Sequence, residues 1–285
     1  MLLAVNINNT QTKIGVYPDA TGDAGDDARP AHLWRLATDR ARTADEWWVQ
    51  LATLLTTTGY DAAGVRTVAI ASVVPPVTGP WRELCTRYLG VAPLVADGSL
   101  PLGVPTRSGT TNAAANEAGA DRLMNALAVF RRYGGPAIVV DCGTATVLDA
   151  VGDTGEYLGC AIAPGMGTAF EALVGRAAQL SSIELRLPTR AIGTNTVDAL
   201  RSGAVLGHVA MIEGMVARLR AELPGTPKVI ATGGLAAVVA TGTDIFDAVD
   251  DDLTLYGLYC FARLNAEKGE SNHQDTENTK EDHGE

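Results

Sequence analysis

Two short stretches of this chain, 135 residues apart, share one design, and such a duplication narrows the possible folds more than any bulk property does. The stretch from Ala137 to Val151 is a mostly apolar run, then Asp141-Cys142-Gly143-Thr144-Ala145-Thr146, then Val147 to Val151. It reads as a β-hairpin whose turn is built from a carboxylate, a glycine and hydroxyls. The N-terminus repeats the plan: Leu2 to Val5, then Asn6-Ile7-Asn8-Asn9-Thr10-Gln11-Thr12, then Lys13 to Tyr17. Asn6 falls on Asp141, Asn8 on Gly143, Thr12 near Thr146-Val147 and Ile14 to Val16 on the second strand, at a spacing of 135 residues throughout. A turn of this composition suits a phosphate. Glycine lets backbone N–H groups approach, threonines donate hydrogen bonds and an aspartate can hold a hydrated Mg²⁺. The sequence predicts two like halves, each with one such turn. Two hairpins alike by chance, in turns that bind nothing, remain the alternative at this point.

Between and after the hairpins, strand and helix patterns alternate, as in an α/β layer fold. His32 to Ala37 reads as a strand. Thr43 reads as a helix N-cap with Glu46 completing a capping box before Trp47 to Leu55. Val65 to Val74 reads as a buried strand, Trp81 to Leu89 as a helix and Val91 to Val95 as a short strand. Gly119-Ala120-Asp121-Arg122 opens a helix through Leu123, Leu127 and Phe130. Asp121 there is either a first-turn charge favoured by the helix dipole or a base for an attacking hydroxyl. Tyr157 to Gly165 is a strand ending in a glycine turn, with helical periodicity through Ala169, Leu173 and Ala177. A long helix is expected over Val197 to Glu222, with His208 inside it as a core or interface residue. Val229 to Ala231 is a strand, and Thr232-Gly233-Gly234-Leu235-Ala236 turns into a helix with bare backbone where a flat ring or sugar can lie close. Asp250-Asp251-Asp252 is expected to be a solvated helix N-terminus. The loop from Ala20 to Pro30 carries no evident chemistry.

Composition excludes several classes of partner. The net charge is −11, and the last 21 residues hold seven acids and two bases, leaving a mild −6 elsewhere. No basic footprint for nucleic acid exists, and with aromatics at 5% there is no stacking platform for a single strand. No apolar run approaches the roughly 20 residues of a membrane helix, and no signal peptide precedes the first strand, so a cytoplasmic protein is expected. Cys85, Cys142, Cys160 and Cys260 are scattered and read as small core residues.

Taken in order, these motifs resemble the type III pantothenate kinases of the acetate and sugar kinase superfamily, over about residues 1 to 264. The matching stretches are the N-terminal hairpin, Arg42-Thr43-Ala44-Asp45-Glu46-Trp47, Ser72-Val73-Val74-Pro75, Gly119-Ala120-Asp121-Arg122, Val140 to Thr146, Ile162-Ala163-Pro164-Gly165, Ile192-Gly193-Thr194-Asn195-Thr196 and Thr232 to Ala236. The resemblance implies a duplicated RNase H-like (actin-like ATPase) α/β fold. Its two α/β domains, residues 1–115 and 116–264, would flank a cleft, followed by a disordered acidic tail over 265–285. It implies transfer of the γ-phosphate of ATP to the primary hydroxyl of pantothenate, the first step of coenzyme A biosynthesis, with Mg²⁺ and a monovalent cation (K⁺ or NH₄⁺), in a homodimer.

Carried over by position, the resemblance makes Asp121 the general base and Arg122 a partner for the acceptor's carboxylate, with Gly119, Asn112 and Thr196 at the acceptor site. Asn6, Asn8, Asn9, Thr10, Gly143, Thr144 and Thr146 would hold nucleotide phosphates. Asp141 would sit near the metal, and Gly233 and Gly234 would border the adenosine. The chain differs from the family pattern where Asn6 and Asn8 replace an aspartate and a glycine, where Asn112 and Ala115 replace a tyrosine and a proline, and where Val147 replaces a threonine. Asn6 keeps a carbonyl oxygen but not the charge a hard cation prefers. Two rival readings follow from these differences. One is a catalytically silent homologue with a binding or regulatory role, and the other is a kinase for a different small acceptor.

Overall fold

The computed structural model describes residues 1–18, 28–105, 117–176 and 183–266. Asn112, Ala115, Ala177, most of the Ala20 to Pro30 loop and the acidic tail beyond residue 266 lie outside the described residues. The strands are β1 (Leu2–Ile7), β2 (Gln11–Tyr17), β3 (His32–Ala37), β4 (Thr67–Ser72), β5 (Leu94–Val95), β6 (Ala137–Cys142), β7 (Ala145–Val151), β8 (Tyr157–Pro164), β9 (Lys228–Thr232) and β10 (Ala248–Val249). The helices are α1 (Ala44–Thr57), α2 (Pro75–Tyr88), α3 (Ala120–Tyr133), α4 (Met166–Arg176), α5 (Thr196–Arg201), α6 (Gly207–Glu222), α7 (Ala236–Ala240) and α8 (253–266). Two compact units emerge. The first is drawn from Met1–Val104, Gly119–Ala128 and the segment starting at Thr254, and the second from Pro105–Ala118 and Val129–Leu253.

Each unit carries one mixed five-stranded sheet, and the two sheets repeat one topology. The order is β3-β2-β1-β4-β5 in the first unit and β8-β7-β6-β9-β10 in the second. In both, the opening hairpin is antiparallel and its first strand also pairs in parallel with a later strand (β1 with β4, β6 with β9). The repeat is 135 residues along the first strand of each hairpin, but 134 along the second. Four residues separate the Ile7–Thr12 pair, whereas three separate Cys142 from Thr146. Asn8 N–H accordingly donates to the Gln11 carbonyl (3.1 Å), and Gly143 N–H to that of Ala145 (3.0 Å). Thr12 therefore corresponds to Thr146.

In the first unit, Leu3, Val5 and Ile7 alternate onto one face of the sheet and bury against Trp47, Leu51 and Leu55 of α1 and Val77, Trp81 and Leu84 of α2. The α1 N-terminus is the expected capping box, with Glu46 N–H donating to Thr43 Oγ1 (3.3 Å) and Thr43 N–H to Glu46 Oε2 (2.8 Å). Helix α2 begins at Pro75, well before Trp81, because Pro75 and Pro76 occupy first-turn positions whose N–H groups would have no partner in any case. Helix α8 packs on this sheet at β2 and against the start of α3. Thr254 Oγ1 donates to Asn125 Oδ1 (2.7 Å), and the Tyr17 ring stacks on Tyr259 at 4.8 Å.

In the second unit, Ile138, Val140, Cys142 and Leu148 pack beneath Val209, Ile212 and Val216 of α6 and Val239 of α7. The expected long helix is interrupted by a π-helical turn over Ser202–Leu206, between α5 and α6. Asp250 and Asp252 correct the expectation of a solvated acidic run. The Asp250 N–H continues the edge pairing to the Ala231 carbonyl (2.8 Å), which turns alternate side chains inward and leaves Asp251 exposed. Asp250 is fully buried, and its Oδ2 accepts from Arg132 (2.6 Å) and Tyr133 Oη (2.7 Å). Cys85 and Cys142 are core residues, but Cys160 is exposed on the outer face of β8 and Cys260 is only partly buried, which corrects the core reading for those two.

Candidate functional site

In the second unit, two glycines without room for a side chain, Gly165 and Gly233, close around the hairpin turn at Gly143. A Cβ on Gly233, at φ +95°, would lie 2.4 Å from Asp141 Oδ1 and 2.7 Å from Cys142 N. One on Gly165 would lie 2.2 Å from the Gly143 carbonyl oxygen, and one on Gly143 would touch Asp141 Oδ1 at 3.4 Å. Hydrogen bonds fix the same turn: Gly165 N–H (3.0 Å) and Thr168 Oγ1 (2.8 Å) both donate to the Thr144 carbonyl, and Leu235 N–H donates to that of Cys142 (3.1 Å). Asp141, Gly143, Thr144 and Gly233 thus converge, with the Thr144 side chain exposed. Bare backbone beside one carboxylate is what a phosphate with its cation requires. Gly234 has open space where a side chain would be. Thr146 is different. It is fully buried, and its Oγ1 lies 2.9 Å from His208 Nε2.

Thr196 sits elsewhere in this unit, at the start of α5 on the rim of an apolar cavity of about 470 Å³, a volume within the range of small-ligand sites. Met166 and Phe170 of α4 form one wall, and Gly203, Gly207, His208 and Met211 another. Asn195 caps α5 by accepting from Asp198 N–H (2.9 Å). Helix α4 begins directly after Gly165, so the cavity wall and the Gly143 turn share one stretch of chain.

In the first unit, the turn corresponding to Gly143–Ala145 is built from neutral side chains. Asn6 is 2% exposed, and the Oδ1 atoms of both Asn6 and Asn8 are buried with no hydrogen-bond partner among the described residues. Asn9 Oδ1 accepts from Arg40 (2.9 Å), and the Thr10 carbonyl from Thr38 N–H (3.0 Å). Val73 N–H donates to the Ile7 carbonyl at the end of β1 (3.1 Å), and a Cβ on Gly119 would lie 3.2 Å from Val73 Cγ1 and 2.7 Å from Asp121 Oδ1. Gly119, Asp121 and Arg122 are therefore gathered beside this turn. Asp121 Oδ1 accepts from Arg122 N–H (2.9 Å). Burial raises the Asp121 pKa above the ordinary carboxylate value, against the opposing pull of that N–H and of the Arg122 charge.

A family model described as type III pantothenate kinase matches residues 2–218. The chain belongs to that family. Type III pantothenate kinases of Thermomicrobium roseum and Moorella thermoacetica are 46% and 44% identical to it over 258 residues. The alignments cover 90% of this chain in both cases, and 95% and 97% of those two proteins. Among solved structures, the (R)-2-hydroxyglutaryl-CoA dehydratase component A of Acidaminococcus fermentans superposes with a TM-score of 0.53 at 11% identity, covering 92% of this chain and 96% of that one. The activator of the 2-hydroxyisocaproyl-CoA dehydratase of Clostridium difficile, solved with bound ADPNP, gives 0.51 at 10% identity, with coverages of 95% and 97%. At that identity the likeness shows the fold, and the two repeated sheets are those of the duplicated actin-like ATPase fold. The chain is a kinase of this family.

Sequence reasoning missed two participants in the site. Gly165 was legible only as a turn glycine, although its contact with the Gly143 carbonyl makes it part of the cradle. His208 read as a helix-interior residue because helical periodicity names a face but not the partner across it.

Proposed function

We propose that this protein transfers the γ-phosphate of ATP to the primary hydroxyl of pantothenate, the first step of coenzyme A biosynthesis. The observation that carries the reading is the glycine cradle around Asp141, Gly143 and Thr144. It leaves room for phosphate oxygens where backbone N–H groups and one carboxylate meet. Asp121 is the general base of the first unit. Its raised pKa brings it closer to the operating pH, which makes it a better proton acceptor than an ordinary surface aspartate. Arg122 receives the acceptor's carboxylate, with Gly119 beside it. Gly233 and Gly234 border the adenosine, and Thr196 reaches the acceptor.

The residues fit the expected cations. Among the described residues no three His, Cys, Asp or Glu side chains gather into a metal cage. Mg²⁺ in a kinase needs none, since it takes one or two carboxylates and completes its shell with water and substrate phosphates. Asp141 would hold it in the second unit, where it would neutralise charge on the transferring phosphoryl group. The uncommitted Asn6 and Asn8 oxygens are neutral ligands of the kind that coordinate K⁺ or accept hydrogen bonds from NH₄⁺. The protein residues position and polarise, and Asp121 moves the one proton.

A homodimer is supported by apolar side chains left outward in the second unit: Ile162 is 63% exposed and Ile192 82%, with Leu173 half-exposed on α4. Ile162→Asp should shift the sedimenting species toward monomer. No helix among the described residues is long and apolar enough to cross a membrane. The use of ATP supports a cytoplasmic reaction. Purified full-length protein given ATP, Mg²⁺ and K⁺ should produce phosphopantothenate. Absence of product, where an authentic pantothenate kinase succeeds in the same assay, refutes the reading.

A further inference from the structure

We propose that His208 is a positioning residue for the nucleotide, holding the second phosphate turn in place through the Thr146 hydroxyl. This rests on the reading of the Asp141–Thr144 turn as a phosphate site. Thr146 pairs with Cys142 in the last rung before that turn, so where Thr146 sits determines where the turn begins. Its hydroxyl is fully buried and lies 2.9 Å from His208 Nε2, on the first turn of α6. The buried side chains that this helix adds to the same core are Val209, Ile212 and Val216, whose packing is apolar and non-directional. One polar bond among them fixes registry in a way that burial alone does not.

The first unit repeats the device with different chemistry. Thr12, the counterpart of Thr146, is also fully buried, and its Oγ1 lies 2.9 Å from Thr38 Oγ1, while the Thr38 N–H holds the Thr10 carbonyl of the turn (3.0 Å). In both halves the residue flanking the turn is tied by its hydroxyl to a neighbouring element. In the second half the tie is an imidazole that also lines the apolar cavity, and the π-helical turn immediately precedes it. Burial lowers the His208 pKa, so the ring is neutral at neutral pH and can share one proton with the hydroxyl. Loss of either partner leaves a buried polar atom orphaned.

The test compares Thr146→Val, Thr146→Ser, His208→Phe and His208→Gln in the full-length protein. Mg²⁺-ATP affinity is measured by calorimetry, and KM for ATP and for pantothenate is measured separately. Thr146→Val and His208→Phe should each weaken Mg²⁺-ATP by roughly tenfold, the scale of one buried hydrogen bond. Both should leave KM for pantothenate within about twofold on the same basis. Thr146→Ser and His208→Gln, which can still form the bond, should stay near the parent. The Thr146→Val/His208→Phe double variant should be no weaker than the worse single one. Unchanged nucleotide affinity in Thr146→Val and His208→Phe, with only the unfolding midpoint moved, overturns the proposal. So does a change confined to KM for pantothenate, or fully additive losses. If the parent binds Mg²⁺-ATP but makes no phosphopantothenate, the acceptor reading fails while the binding series still decides the role of His208. If His208→Phe does not fold, Thr146→Val and the two conservative variants give the same decision.

Discussion

The glycine cradle makes a pair of adjacent substitutions sharply unequal. A methyl group on Gly233 has two independent costs. The residue sits at φ +95°, where a side chain costs about 1–2 kcal/mol. The added Cβ would also lie 2.4 Å from Asp141 Oδ1 and 2.7 Å from Cys142 N. Cys142 cannot retreat: it ends a central strand paired on one side with β7, and its carbonyl accepts from Leu235 N–H. Overpacking against such a neighbour costs about 1–3 kcal/mol. Together Gly233→Ala should lose roughly 2–5 kcal/mol, which for a chain of this size lowers the melting temperature by at least about 4 °C. Gly234→Ala meets no atom within 4 Å at an ordinary φ and should stay within about 0.5 kcal/mol of the parent. Thermal unfolding of the three proteins side by side, followed by far-UV circular dichroism, measures the difference. The carboxylate that a Gly233 methyl displaces is the one assigned to Mg²⁺, so Gly233→Ala should also weaken Mg²⁺-ATP in proportion. Equal midpoints for the two variants, or a larger loss at Gly234, would show that the crowding around Asp141 is not what holds the turn.

The buried Arg132–Asp250 pair and the proposed base Asp121 give two further expectations. Burial pushes the Asp250 carboxyl up, but hydrogen bonding with Asp252, Tyr133 and Arg132, together with the Arg132 charge, pulls it down to about 2. Because the folded value lies below the unfolded one, its stabilisation is present above pH ~4 and is lost as pH falls from there toward 2. Asp250→Asn should flatten that acid limb in pH-dependent unfolding and, by leaving the Arg132 charge buried, cost about 3 kcal/mol or more at neutral pH. A parent whose acid unfolding is unchanged by the substitution would count against the pair. Asp121→Asn should lower kcat by about 10²–10⁴ with Mg²⁺-ATP affinity retained. In the parent the acid limb of the pH–rate profile should fall above the ordinary carboxylate range, since the Asp121 pKa is raised. An acid limb at or below pH ~4 would remove Asp121 as the base.

The fold was legible because it is written twice. Strand alternation with a polar glycine turn recurs at Asn6 and Asp141, and the short connections leave little freedom in strand order once each hairpin's first strand must also pair in parallel. The one-residue difference between the turns was not legible, since Asn9 and Thr10 look alike to any pattern that counts polar turn residues. Asp250 misled for a related reason. Three consecutive aspartates read as solvated, whereas edge pairing makes their side chains alternate, and the buried Arg132 that receives one of them lies 118 residues away in sequence. Within the proposed site, Gly143 and Gly233 could be singled out from local motifs because a turn glycine is read from neighbouring backbone, whereas Asp121 stood between a first-turn charge and a base until the family resemblance was drawn. The Thr146–His208 tie depends on which helix covers the sheet, and no local pattern encodes that.

The two turns differ most in charge, and that difference can be measured. The second turn offers the Asp141 carboxylate, whereas the first offers the buried Asn6 and Asn8 oxygens, which have no hydrogen-bond partner among the described residues. Asn6→Asp is close to isosteric, so its effect is almost purely electrostatic. A carboxylate at a position only 2% exposed has little water to stabilise it, and without a counter-ion it should destabilise the protein by several kcal/mol or hold a proton at neutral pH. A divalent cation supplies the missing charge. The variant should therefore melt below the parent in chelator and recover part of the loss as Mg²⁺ is added, while the parent responds less to Mg²⁺ alone. Each tenfold increase in Mg²⁺ above its Kd adds about 1.4 kcal/mol to the variant by mass action, which thermal melts across a Mg²⁺ series resolve. If K⁺ restores the variant as well as Mg²⁺ does, the first turn discriminates by geometry and not by charge. If neither ion moves the melt, the Asn6 oxygen does not face a cation, and the duplicated turns have diverged in role as well as in sequence.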